Sequence, residues 1–228
     1  MEDIRGKIKS ELAAGDLRGY VEDHARSPHP YLETIRKNCL AHKWNFMLTT
    51  PDQAAFLYSH ASLIRAKKIL EIGTYYGHST LALAAALPAD GKIISLEHNP
   101  KFAAIAQSHM DVAGVAHKVE IRVGEAPLLM PILEQEQGQG SFDLIFVDAD
   151  KRHFKDYWES GLRLLRAGGV LIFDNALARG EILSDTPGTA DHIAAVREFN
   201  DSVRSDSRVY SYIATLADGM LVAMKIGS

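Results

Sequence analysis

The sequence predicts an α/β fold: a doubly wound, mostly parallel, seven-stranded Rossmann-like sheet that ends in an antiparallel hairpin, preceded by N-terminal helices. Three observations carry this. From Lys68 onward, short β-branched runs alternate with helical stretches, the rhythm of a parallel sheet covered on both faces. Two apolar runs, Phe142–Val147 and Gly169–Phe173, stop abruptly on Asp148 and on Asp174-Asn175, as strands do at a sheet edge. The last two strand-like runs are separated only by Leu216-Ala217-Asp218-Gly219, too short for a crossover, and Asp-Gly is a strong turn signal.

The elements follow in order. Tyr31 to Trp44 is an amphipathic helix candidate, set off from an earlier charged segment by Ser27-Pro28-His29-Pro30. Asp52 to Ala66 is a second helix, with Pro51 at its start and Ala55, Phe56, Ser59, Ser62 and Leu63 on one face. Strands are expected at Lys68–Ile72, Lys92–Glu97, Val119–Val123, Asp143–Asp148 and Val170–Asp174. The helices between them are Ser79–Leu87, Pro100–Ala113, Ala126–Glu136 and Phe154–Arg166. Gln135 to Ser141 is a polar, glycine-containing loop, and Leu177 to Asp191 is another. Val209–Thr215 and Met220–Met224 form the closing hairpin. The chain divides into a helical cap, 1–66, and a Rossmann-like core, 67–228, within a single domain.

Composition narrows the function. A chain of 228 residues suits one large α/β domain. Its net charge of −4 offers no electrostatic case for nucleic acid or an anionic membrane. Cys39 is the only cysteine, so no internal disulfide forms, which fits a reducing cytosol. The first residues, MEDIRGKIKSELAAGDL, lack the apolar core of a signal peptide. Apolar stretches reach about eight residues, far short of the roughly 20 that span a bilayer. The expectation is a cytoplasmic protein, although a secreted protein without disulfides has the same pattern.

The strand ends carry the chemistry. If the two acid-terminated strands are parallel neighbours, Asp148, Asp174 and Asn175 converge, and three hard oxygen donors suit Mg²⁺, Mn²⁺ or Ca²⁺. The bland reading is that they cap the helices that follow. Lys151, three residues after the first acid, would stand beside the ion. Gly73 and Gly77, in Gly73-Thr74-Tyr75-Tyr76-Gly77, let backbone approach a ligand at a helix N-terminus. Glu97 ends the next strand, where an acid grips ribose hydroxyls in nucleoside-binding sheets. The bulky Tyr75 breaks the three-glycine pyrophosphate pattern, so a nucleoside without a diphosphate fits better than NAD.

On these segments (ILEIGTYYGHSTLALA, IISLEHNP, FDLIFVDADKRHFKDYW, GGVLIFDNAL and ADGMLVAMK) the chain resembles the metal-dependent O-methyltransferases that use S-adenosylmethionine, above all the caffeoyl-CoA/catechol O-methyltransferase group and its bacterial branch. The resemblance runs from about Met47 to Lys225. It implies that Asp148, Asp174 and Asn175 bind a divalent cation, Mg²⁺ foremost, and that Lys151 takes the proton from the substrate hydroxyl. An amine beside a dication is driven toward its neutral form and so suits a base. A surface lysine in a charged stretch is the alternative.

The resemblance also places Glu97 on the ribose and Glu71, Gly73, Tyr75 and Ser79 around the methionine end. Met47 and Thr49 would close over the cofactor, Ala126 would meet the adenine, and Asp148 would border the cofactor as well as the ion. Caffeoyl-CoA-like enzymes carry a glutamate where this chain has Gln53, so Gln53 is not counted among the cofactor residues. Asp150 could orient substrate or lysine. His98 stacks near the adenine or is solvated. Glu71, if purely structural, must be paired, with backbone amides as the expected partners. Trp44, Phe46, Tyr157, Trp158 and Phe173 line a pocket or, more in keeping with their spacing, the core. The implied partners are a small phenolic substrate and a second copy of the chain, with Met1–Trp44 as a source of dimer contacts. Two rival readings remain at this stage: a nicotinamide-dependent Rossmann enzyme and a nucleoside-binding protein without catalysis.

Overall fold

The computed structural model describes residues 17–183 and 191–227. The expectations placed on 1–16 and on 184–190 of the polar loop lie outside them. Two helices, α1 (Leu17–His24) and α2 (Leu32–Leu40), and a 3₁₀ turn (Asn45–Met47) lead into α3 (Pro51–Leu63). Then come β1 (Lys68–Ile72), α4 (His78–Ala86), β2 (Lys92–Glu97), α5 (Pro100–Val112), β3 (Val119–Val123), α6 (Ala126–Gln137), β4 (Phe142–Val147), α7 (Phe154–Leu164), β5 (Leu165–Phe173), α8 (Asp191–Arg204), β6 (Val209–Ala214) and β7 (Met220–Lys225).

The sheet has seven strands in the order β3-β2-β1-β4-β5-β7-β6. Its first five strands run parallel, whereas β7 is antiparallel to both β5 and β6. Strand order reverses between β1 and β4, the place where open α/β sheets form a ligand crevice beyond the carboxyl ends of their strands.

Alternation along the strands builds two cores. On β4 and β5, Leu144, Phe146, Val170 and Ile172 face the layer of α2, α3, α4 and α5. Their neighbours Ile145, Val147, Leu171 and Phe173 face α6, α7 and α8. A period-2 pattern with both faces covered reads as a nearly continuous apolar run, which is how these strands look in sequence.

Three local expectations change. The face of the helix after Pro51 that carries Ala55, Phe56, Ser59, Ser62 and Leu63 is not the buried one: Leu63 is 79% exposed, and the buried side is Gln53, Ala54, Leu57 and Ala61. Apolar residues lie all round this helix, so periodicity does not choose a face. The small side packs against the alanine-rich α4. Second, α7 ends at Leu164 and β5 starts at Leu165, five residues before the expected strand, because Leu165 pairs with Phe142 across a register shift in β4–β5. Third, α8 falls in a stretch for which no element is expected. Its buried Ile193, Val196, Phe199 and Val203 have helical spacing, and that periodicity is the signal that finds it.

Candidate active site

The ladder of the sheet continues past its strands at one rim. Asp148 N donates to Ile72 O at 2.9 Å, and Asp174 N donates to Val147 O at 2.9 Å. The residues after β1, β4 and β5 therefore stand side by side. Gly73 crosses directly over the end of β4 with φ at +100°, and a Cβ there would lie 2.0 Å from Asp148 O. Only glycine fits this crossing.

Asp174 is 4% exposed. Burial first, then the charge of Asp148, pushes its carboxyl up to about 7, against the opposing pull of Asn175 N–H, Lys151 and Gln53. Its Oδ1 accepts from Asn175 N at 2.6 Å and its Oδ2 accepts from Gln53 Nε2 at 3.0 Å. Lys151 Nζ stands 3.2 Å from Asp148 Oδ1, both side chains about one quarter exposed. Asp148, Lys151, Asp174 and Asn175 are thus gathered at one rim. Among the described residues, no three His, Cys, Asp or Glu side chains cluster as metal ligands. The donor set at the rim is instead two mutually repelling carboxylates and an amide, all hard oxygen, which fits Mg²⁺, Mn²⁺ or Ca²⁺ and not zinc.

The glycine turn forms the other half of the crevice. Glu97, 4% exposed, is no solvated strand-end acid: its Oε2 accepts from Tyr75 N at 2.8 Å and Thr74 N at 3.3 Å, and its Oε1 accepts from Asn99 N at 2.8 Å. His98 lies on the solvent side of it, Nδ1 3.2 Å from Oε1. Glu71 is fully buried and is partnered by hydroxyls, not backbone amides: Thr80 and Ser95 both donate to Oε2 at 2.5 Å. Burial raises its carboxyl to about 7, with hydroxyls including that of Ser79 pulling it back. Among the described residues its Oε1 has no hydrogen-bond partner. A buried acceptor left open beside the glycine turn fits the ammonium group of an amino-acid-bearing cofactor.

The segment before α3 closes on this turn. Tyr75, held at a left-handed φ of 49°, donates its hydroxyl to Trp44 O at 3.1 Å and lies 3.1 Å from His42 Nδ1. Thr49 Oγ1 and His78 Nδ1 are hydrogen-bonded at 2.8 Å, both residues buried. Burial holds the His78 imidazole down to about 4, so it is neutral at physiological pH. Met47, two residues before Thr49, is exposed, and Ala126 is the first residue of α6.

Other expectations sort differently. Tyr157, Trp158 and Phe173 are buried in the core on the α7–α8 face. Trp44 and Phe46 are exposed, and Phe46 receives the Arg179 guanidinium 5.8 Å from its ring centre. Asp150 turns to Arg152 and His153 rather than to Lys151. Side chains outside the expected set prove to contact it, among them Gln53, Asp218, His78, His42, Thr80 and Ser95. Only Gln53 carried a hint, in its departure from the glutamate of the resembled enzymes.

Comparison with known proteins bears on what this rim does. A family model described as O-methyltransferase matches residues 22–226. The chain belongs to the O-methyltransferase family. It is 37% identical to caffeoyl-CoA O-methyltransferase 1 of Zea mays, over 96% of this chain and 88% of that one. It is 40% identical to a catechol O-methyltransferase of Niastella koreensis, over 77% of this chain and 80% of that one. Among solved structures, the O-methyltransferase from Bacillus cereus in complex with S-adenosylhomocysteine superposes with a TM-score of 0.82 at 31% identity, covering 92% and 97% of the two chains. The O-methyltransferase TomG from Streptomyces achromogenes, in complex with S-adenosylmethionine, gives 0.81 at 30% identity over the whole of both. The chain is an S-adenosylmethionine-dependent O-methyltransferase, and neither the nicotinamide nor the non-catalytic reading survives. Among the described residues, no helix is long and apolar enough to cross a membrane.

Proposed function

We propose that this methyltransferase is divalent-metal-dependent and transfers the methyl group to one hydroxyl of a catechol-like small molecule. The observation that carries the reading is the pairing, on one rim, of Asp174 with the Asp148–Lys151 pair 3.2 Å wide, next to the glycine turn. The Asp148 charge adds to the cost of ionising buried Asp174, and a bound dication removes that cost. The catechol and caffeoyl-CoA names of the relatives point to acceptors with two neighbouring hydroxyls.

In this reading Asp148, Asp174 and Asn175 hold the cation, which, when bound, lowers the pKa of the reacting hydroxyl and fixes its direction. S-adenosylmethionine supplies the methyl group, and Glu71, Gly73, Tyr75, Ser79, Glu97, Ala126, Met47 and Thr49 surround it, with Asp148 at the border. Glu71 Oε1 takes the ammonium of the methionine end. The glycine turn, pinned by Glu97 and Tyr75, sets the donor's place on the sheet. Lys151, held at the rim by Asp148, removes the proton from the acceptor hydroxyl. Holding oxygen and methyl carbon in line supplies much of the acceleration, on the order of 7–11 kcal/mol in well-oriented systems. We read 1–66 as a cap over the core 67–228, in a single domain, and expect a cytoplasmic homodimer on the family resemblance.

A screen of o-dihydroxyphenols against matched monophenols, with Mg²⁺, Mn²⁺ or Ca²⁺ and S-adenosylhomocysteine release as the signal, tests the reading. Turnover confined to vicinal diols supports it. Equal turnover of monophenols removes the bidentate substrate.

A further inference from the structure

We propose that Asp218, in the turn of the terminal hairpin, is a positioning residue that aims the Asn175 amide oxygen at the cation. The inference rests on the metal reading above and extends it to a residue outside the ligand set.

The geometry starts from two turns pressed together. The chain leaving β5 takes left-handed conformations at Asn175 (φ 63°), Ala178 (φ 45°) and Arg179 (φ 54°). The β6–β7 turn does so at Ala217 (φ 46°) and Gly219 (φ 86°). Such residues persist only where their surroundings over-determine them, and they concentrate at functional sites. Here the surroundings are each other. Ala176 N donates to Gly219 O and Leu177 N to Asp218 O, both at 2.9 Å. A Cβ at Gly219 would lie 2.4 Å from Leu177 Cγ, so the two turns touch without room for a side chain.

The Asp218 carboxylate sits in this clamp and holds both ends of the strained segment. Its Oδ2 accepts from Asn175 Nδ2 at 3.1 Å, and its Oδ1 accepts from the backbone N–H of Arg179. A carboxylate accepts and does not donate, so the amide of Asn175 must present nitrogen to Asp218 and keep its oxygen on the other side. Asn175 N meanwhile donates to Asp174 Oδ1 at 2.6 Å. With backbone and side chain both tied, the amide oxygen is the group of Asn175 left for a ligand, and an oxygen donor is what a hard cation requires. An amide rotated by half a turn would offer the cation its NH₂. Partners of this kind orient metal ligands, and their loss commonly costs 10–100-fold in metal affinity.

The test is a double-variant cycle read as Mn²⁺ affinity by titration calorimetry, on protein saturated with S-adenosylhomocysteine. In Asp218→Asn the one amide oxygen stays with the Arg179 backbone N–H, which cannot rotate, so an NH₂ meets Asn175 and the Asn175 amide turns over; the expected loss is about 10-fold or more. In an Asn175→Asp background the same substitution should cost nothing, because a carboxylate at 175 accepts from the new amide and still offers oxygen to the ion. A purely structural role for Asp218 would lower affinity by the same factor on both backgrounds, and that result overturns the inference. S-adenosylhomocysteine affinity, expected to change by less than about 3-fold, reports that each variant is folded. Should Asp218→Asn not fold, Asp218→Glu replaces it: the carboxylate is kept but displaced by a methylene, and unchanged Mn²⁺ affinity overturns the proposal. Wild-type protein that binds S-adenosylhomocysteine but no Mn²⁺ overturns the metal reading itself and this inference with it.

Discussion

The Gln53 side-chain amide donates to Asp174 Oδ2 at 3.0 Å while its own oxygen accepts from Thr50 N at 2.9 Å. One buried side chain therefore caps α3 and steadies a carboxylate 121 residues away. Gln53→Leu removes both contacts. The lost cap costs about 1 kcal/mol and the unpartnered buried carboxylate oxygen roughly 2 kcal/mol more. Urea unfolding should show a loss near the sum. Gln53→Glu keeps the cap but sets carboxylate against carboxylate, so its melting temperature should rise more on Mn²⁺ addition than that of the wild type.

At Gly73 the limit is steric. An added methyl group would overlap Asp148 O in a backbone conformation that side chains avoid. Gly73→Ala should destabilise the fold by several kcal/mol, about 3 or more, and should weaken S-adenosylhomocysteine binding in whatever fraction folds. Circular dichroism melts and calorimetry check both. A wild-type melt would contradict the crossing described here.

What the sequence made legible was what local patterning encodes. The strands appear as β-branched runs because both sheet faces are covered, and the hairpin appears because four residues cannot hold a crossover. The convergence of Asp148 and Asp174 follows from placing two acids at the ends of strands that prove to be parallel neighbours. Contacts made across the chain were not legible. Nothing near Gln53 announces Asp174, and Asp218 reads as a turn residue because Asp-Gly is one; its carboxylate serves Asn175 only after β7 inserts beside β5. The face of α3 failed for a related reason, since its neighbour α4, and not its own periodicity, decides which side is buried.

Two buried groups give stability opposite pH dependences. His78, held down to about 4 against 6.5 when unfolded, binds fewer protons folded than unfolded. Its contribution is complete above 6.5 and is lost as pH falls toward 4, on the order of 3 kcal/mol in full. Glu71, raised to about 7 from 4.5, binds more protons folded. Its contribution is complete below 4.5 and is lost as pH rises through 7, by a similar order of magnitude. In the wild type the two partly cancel. Glu71→Gln should therefore expose the histidine, with stability rising steeply between pH 4 and 6.5. Denaturant midpoints across that range that stay flat in the variant would contradict the burial assigned to His78.

Tyr75 fastens the covering segment to the glycine turn through Trp44 O and His42. Tyr75→Phe keeps the ring and removes the hydroxyl. The expected cost is about 1 kcal/mol in stability, with S-adenosylhomocysteine affinity reduced severalfold because the segment carrying Met47 and Thr49 loosens. Calorimetry on the folded variant reads this directly, and unchanged affinity would mean that the segment does not act on the cofactor.

Turnover depends most on a dication held between Asp148, Asp174 and Asn175. The direct measurement is methyl transfer to a vicinal dihydroxyphenol by protein stripped with EDTA, before and after Mg²⁺ is restored. The wild type should be inactive when stripped and recover with the ion. Asp148→Ala should stay inactive at any Mg²⁺ concentration, and Lys151→Ala should bind S-adenosylhomocysteine normally yet turn over slowly. Full turnover in EDTA would contradict the account.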